Sequence, residues 1–128
     1  MSTYRASVDL PPVTHSVPVA RHVVVDLMRV WQAPQDRDDA ALLVTELVTN
    51  VIDHVGGEAS FTLELEVSDG WLLVAVVDGS SVLPVVRELD KERPRRRGLQ
   101  LVQAIAERWG TEEHHGGKRI WFQLAPPQ

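Results

Sequence analysis

Glu46-Leu47-Val48-Thr49-Asn50-Val51-Ile52-Asp53-His54 lies within the longest periodic segment of the chain, Asp36 to Val55. There Val44, Leu47, Val48, Val51, Ile52 and Val55 recur at spacings of three and four and form one apolar stripe, the pattern of an amphipathic helix. Asp36, Asp38 and Asp39 stand near its positive N-terminal end, and Gly56 and Gly57 stop it. Glu46 and Asn50 are four apart, so they project from the same side, which the spacing puts opposite the Val44, Val48, Val51 stripe; Asp53 and His54 follow one turn on. The pair by itself also fits an ordinary solvated helix face. What favours a site is Asn50, because asparagine is a weak helix former whose amide competes for backbone groups, and a use for its oxygen explains its mid-helix position.

On the N-terminal side, Tyr4 to Leu10 suits a short edge strand, ended by Pro11 and Pro12, which cannot donate to a sheet ladder. Val19 to Trp31 reads as a helix, with Val23, Val24, Leu27, Met28, Val30 and Trp31 interleaved by Arg21, Asp26 and Arg29; Pro18 starts it and Pro34 stops it. On the C-terminal side, Phe61 to Val67 alternates apolar and polar residues as a strand with one wet face does, and Ser68, Asp69 and Gly70 supply a turn. Trp71 to Val77 is apolar almost throughout and reads as a central strand, antiparallel to the preceding one and buried on both faces. Gly79 to Arg97 has no sustained period and is long for a passive connection, which suits a lid or binding segment. Leu99, Leu101, Val102, Ile105, Ala106 and Trp109 mark a third helix closed by Gly110. Lys118 to Leu124 alternates as a last strand that Thr111 to His115 can pair with across Gly116 and Gly117. The order predicts an α+β chain, a two-layer α/β sandwich with helices on one face of a mixed, mostly antiparallel sheet.

Composition bounds the function. The chain has 128 residues, 44% apolar and 24% charged, with no cysteine and a net charge of −5. One domain spanning residues 1–128 is expected, large enough to need no disulfide or metal staple. Without cysteine there is no thiol catalysis and no thiolate metal site. The acidic balance offers no global field for a phosphate backbone, so direct nucleic-acid binding is not expected. No apolar run approaches the roughly 18 residues of a membrane span, and Met1 to Asp9 does not resemble a secretory signal, which predicts a cytoplasmic protein.

Two further places carry chemistry. Asp78 ends the apolar strand and precedes Gly79, Ser80 and Ser81; it fits either a turn aspartate bonding its own backbone or a carboxylate accepting a donor from a ligand. Arg95, Arg96 and Arg97 precede Gly98 at a helix start, where free N–H groups and the helix dipole favour an anion, although a basic run in a loop is more often solvated. His114 and His115 are adjacent on a strand and point to opposite faces, so they do not share a metal. Trp31, Trp71, Trp109 and Trp121 read as packing residues.

In order along the chain, Glu46 to His54 resembles the N box of the GHKL ATPases, Val77-Asp78-Gly79-Ser80 their first glycine box, and Arg97-Gly98-Leu99-Gln100-Leu101-Val102 their second. The length, Trp109-Gly110 and Gly117-Lys118-Arg119-Ile120-Trp121-Phe122 are most similar to the anti-sigma-factor serine kinases, over about Tyr4 to Leu124. The resemblance implies the Bergerat ATP-binding fold, ATP and Mg²⁺ as cofactors, and an ATP lid at about 79–97. It implies Glu46 as general base, Asn50 as Mg²⁺ ligand and Asp78 as acceptor of the adenine amino proton. Asp53, Ser80, Arg97, Gly98 and Leu99 complete the implied nucleotide site, with Arg97 and Gly98 at the phosphates.

The implied activity is that of a protein serine/threonine kinase that regulates transcription, with a sigma factor, an antagonist of the anti-sigma factor, or both as partners, and with a possible homodimer. Three positions depart from the family pattern: Ser80 and Arg96 replace glycines, and Val51 replaces an alanine. Arg96 restricts backbone dihedrals open to glycine, though its guanidinium suits phosphate. Those departures keep open a second reading, a binding module that keeps the fold and sequesters a partner with little or no nucleotide chemistry. A third, the ATPase domain of a sensor kinase, would be marked by phosphohistidine.

Overall fold

The computed structural model describes residues 3–55, 60–78, 101–114 and 117–128. Their elements are β1 (Thr3–Leu10), α1 (Ser16–Trp31), α2 (Arg37–Val55), β2 (Phe61–Ser68), β3 (Trp71–Asp78), β4 (Arg108–His114) and β5 (Gly117–Leu124), with residues 101–105 helical ahead of β4. The five strands form one sheet in the order β1-β2-β3-β5-β4, and every pairing among them is antiparallel. Helices α1 and α2 pack on each other, α2 also on β3 and α1 on β2. The α+β sandwich is thus as expected, and its described pairings are wholly antiparallel. The predicted lid lies outside the described residues.

Local chemistry accounts for the element ends. In α1, Pro18 is the third residue rather than the one before the helix, in the first turn where its missing N–H leaves no bond unmade. Ser16 ties the helix start down by donating from Oγ to the Pro11 carbonyl at 2.6 Å. Gln32 ends α1 in the left-handed region at φ 57°, its N–H turned back to the Arg29 and Met28 carbonyls. Asp36 caps α2: its Oδ1 accepts the Asp39 N–H at 3.0 Å. The β2–β3 hairpin turns on Asp69 (φ 54°) and Gly70 (φ 83°), the two positive dihedrals that a two-residue Asp-Gly turn requires.

The inward sheet residues, among them Phe61, Leu63, Leu72, Val74, Ile120 and Phe122, meet Val24, Met28, Leu43, Val44, Leu47 and Val48 of the helices in one core. The outward face of β3 differs from expectation. Leu72, Val74, Val76 and Asp78 are buried, yet on the other side only the small Ala75 is, and Trp71, Leu73 and Val77 are half-buried. No helix covers that side among the described residues. Long polar side chains shield it instead: Arg5 pairs with Glu66 at 2.8 Å, Arg119 with Glu64 at 3.3 Å and Glu112 at 3.6 Å, and the Arg108 guanidinium sits 5.0 Å from the Trp71 ring. The apolar run therefore marks a strand with neighbours on both edges rather than covers on both faces.

The expected third helix also ends earlier than its apolar spacing suggested. It ends at residue 105, and Trp109 and Gly110 belong to β4. Gly110 is not a helix stop: it stands opposite Trp121 in the β4–β5 register, and a Cβ there would lie 3.0 Å from the Trp121 ring. Glycine makes room for the indole on the outward face. Tyr4 and Trp31 stack at 5.6 Å, so tryptophans serve packing here.

Gln35 joins the ends of three elements. Its buried Nε2 donates to the Gly70 carbonyl at 2.6 Å and to the Leu124 carbonyl at 3.0 Å, tying the α1–α2 connection to the β2–β3 turn and the end of β5. Its Oε1 is buried without a partner among the described residues, which offsets part of the gain. Gln35→Ala leaves both carbonyls without this donor, and the expected loss is about 1–2 kcal/mol, read as a lower urea midpoint. An unchanged midpoint would show that the tie contributes nothing.

Candidate nucleotide site

Four polar or charged side chains are buried among the described residues: Ser16, Gln35, Asn50 and Asp78. The first two hold chain segments together through the hydrogen bonds described above. Asn50 and Asp78 remain. They sit on α2 and at the end of β3, the helix and the strand that pack against each other.

Asn50 is 4% exposed and does not lie opposite the apolar stripe as the spacing suggested. The buried face of α2 runs through Ala40, Leu43, Val44, Leu47, Val48 and Val51. Asn50 follows Leu43 by seven residues and Leu47 by three, which puts it on the edge of that face. None of the described residues gives its amide a hydrogen bond. A side chain this little exposed does not lie on a solvated helix face, so that reading does not account for this residue. Its side-chain oxygen is a hard donor of the kind Mg²⁺ takes.

Glu46, one turn before Asn50, is half-buried, and burial raises its carboxyl above the ordinary value of 4.5. A carboxylate raised in this way is a better proton acceptor than an exposed one. Asp53, one turn after, is exposed and engaged by at least one partner.

Asp78 is 6% exposed and faces the helix side of the sheet with Leu72, Val74 and Val76. In the ladder its neighbours are Phe61 on β2 and Lys118 on β5, and it too is engaged. Ser80, Arg97, Gly98 and Leu99 lie outside the described residues. The structure thus brings two of the expected ligand-reading groups, Asn50 and Asp78, into the layer between α2 and the sheet, with Glu46 at its edge. The place of Lys118 beside Asp78 was not read from the sequence. The signal was present in the alternation of the last strand, which puts Lys118 in phase with Ile120, Phe122 and Leu124, but its neighbour Asp78 appears only once β3 and β5 are paired.

Residues 10–124 match the family described as histidine kinase-like ATPase domain. No curated protein matches the chain. Among solved structures 12 chains match. One is the histidine kinase domain from the blue-light activated histidine kinase of Erythrobacter litoralis EL346, with a TM-score of 0.53 and 22% identity over 70% of this chain and 44% of that one. The chain thus spans less than half the length of that relative, and the likeness is one of fold. The match over 10–124, with the antiparallel sheet and helix layer that carry it, makes this chain a member of the histidine kinase-like ATPase domain family.

Proposed function

We propose that this protein is an ATP-binding regulator of the anti-sigma-factor kinase type, which binds a sigma factor and transfers phosphate from ATP to a serine of an antagonist protein. The observation that supports the reading is the burial of two polar side chains, Asn50 and Asp78, on a helix and a strand that pack against each other, the elements to which this reading assigns the metal ligand and the base reader.

Asp78 accepts the amino proton of adenine; guanine carries a carbonyl at that ring position and is disfavoured. The Asn50 oxygen would hold Mg²⁺, which would neutralise phosphate charge when bound. Glu46 takes the proton of the attacking serine hydroxyl. The serine oxygen bonds to the γ-phosphorus, the bond from that phosphorus to the β–γ bridging oxygen breaks, and ADP leaves. Arg97, with Gly98 and Leu99, belongs to the phosphate end in this reading, with Ser80 and Asp53 at its margins.

The fold likeness to a histidine kinase domain supports a second reading, an ATPase domain that phosphorylates histidine. The two differ in product: phosphoserine survives acid and phosphohistidine does not.

Calorimetric titration should show ATP binding that requires Mg²⁺ and exceeds GTP binding. Asp78→Asn should weaken it by tenfold or more, and Asn50→Ala should remove the Mg²⁺ dependence. No heat and no melting shift at millimolar ATP would leave a binding module that acts by sequestration. Glu46→Gln should bind ATP as wild type does and transfer no phosphate; transfer at the wild-type rate would remove Glu46 as the base.

The same variant tests the desolvation of Glu46. A carboxyl raised in the folded state is stabilising in its protonated form, so its contribution is complete below the unfolded value of 4.5 and is lost as pH rises through the folded value. Glu46→Gln should therefore melt above wild type at pH 7, and the gap should close as the pH falls below 4.5. A variant that melts lower at pH 7 would show that the carboxylate is compensated rather than desolvated.

A further inference from the structure

Lys118 and Arg119 are consecutive cations on β5, and the strand sends them to opposite faces. Arg119 lies on the outward face, held by Glu64 at 3.3 Å and Glu112 at 3.6 Å. Lys118 is in phase with the buried residues Ile120, Phe122 and Leu124, on the side where α2 packs. Across the sheet one row runs Leu10, Phe61, Asp78, Lys118, Glu113. Adjacent members of such a row have Cβ atoms about 5 Å apart, so the flexible lysine stem starts beside the Asp78 carboxylate. Phe61, the neighbour on the other side, is fully buried and has no polar atom. Within the row, the polar surroundings of Asp78 come from the Lys118 side. Lys118 is half-buried, and it and Asp78 are each engaged by at least one partner.

We infer that Lys118 is a second reader of the nucleotide base, its ammonium donating to the adenine ring nitrogen N1, next to the amino group that Asp78 accepts. This rests on the ATP-binding reading above. A carboxylate only accepts and an ammonium only donates. The adenine edge offers the complement on neighbouring atoms, an amino group that donates and a ring nitrogen that accepts. An acidic residue alone reads half of that edge; the Asp78–Lys118 row supplies both halves from adjacent strands, with no loop involved.

The test compares ATP with 1-deaza-ATP, in which that ring nitrogen is a C–H, on wild type, Lys118→Met and Lys118→Gln by calorimetry. Methionine keeps the aliphatic stem and loses the charge. Wild type should bind ATP about tenfold or more tightly than 1-deaza-ATP. Lys118→Met should bind the two alike, and Lys118→Gln, which keeps a neutral donor, should retain part of the preference, each variant being compared at a melting midpoint near that of wild type. If Lys118→Met weakens both nucleotides equally, the lysine acts on the phosphates or on folding, and the inference is wrong. An ATP preference unchanged in both variants overturns it as well. In either case Asp78→Asn separates the two readings: if that variant still loses ATP, the ATP site stands and only the role of Lys118 falls. A wild-type protein that binds neither nucleotide overturns both.

Discussion

The packing of α2 against β3 is the constraint on which the rest of the structure depends. Leu43, Val44, Leu47, Val48 and Val51 on one side and Leu72, Val74 and Val76 on the other are all buried in one core. Removing each such side chain from water contributes roughly 1.5–3 kcal/mol, and together they hold the helix in one rotation and at one height above the sheet. Asn50 and Asp78 occupy the margin of that contact.

The two faces of the sheet are consequently unlike. The helix-side face is apolar along β2, and along β3 and β5 up to Asp78 and Lys118, with Thr111 and Glu113 of β4 at its edge. The outward face has no helix cover among the described residues and is screened by ion pairs and by arginine over tryptophan. Exposed pairs of this kind contribute little to stability. Their effect is to keep half-buried Trp71 and Leu73 from forming an open apolar patch. Arg119 is absorbed in that screen, whereas its chain neighbour Lys118 is in phase with the residues of the helix-side face.

Much of this was legible beforehand. The periods of α1, α2, β2 and β5 placed those elements within a few residues, because each buries one face and the burial imposes its spacing on the residues. The Asp69-Gly70 turn was legible because few other residues tolerate two positive dihedrals in succession. Where the reading failed, the missing information was non-local. The apolar run of β3 cannot state whether a helix or a set of long arginines lies over it. Trp109 and Gly110 fit a helix end by spacing and are strand residues by pairing, since the space that Gly110 leaves is filled by Trp121, eleven positions later.

From sequence alone came the order of elements, the alternation of β2 and β5, the antiparallel hairpins and the pairing of Glu46 with Asn50 one turn apart. These follow from local rules, the helical and strand periods and the dihedral limits of turn residues. Tertiary structure decided that Asn50 is buried at the edge of the packed face, that Asp78 shares a row with Lys118, and that Arg119 is committed elsewhere. Those facts depend on how α2 is rotated over the sheet and on the register of β3 against β5. Both are set by the packing of the whole core at once, and no short stretch of the chain contains them.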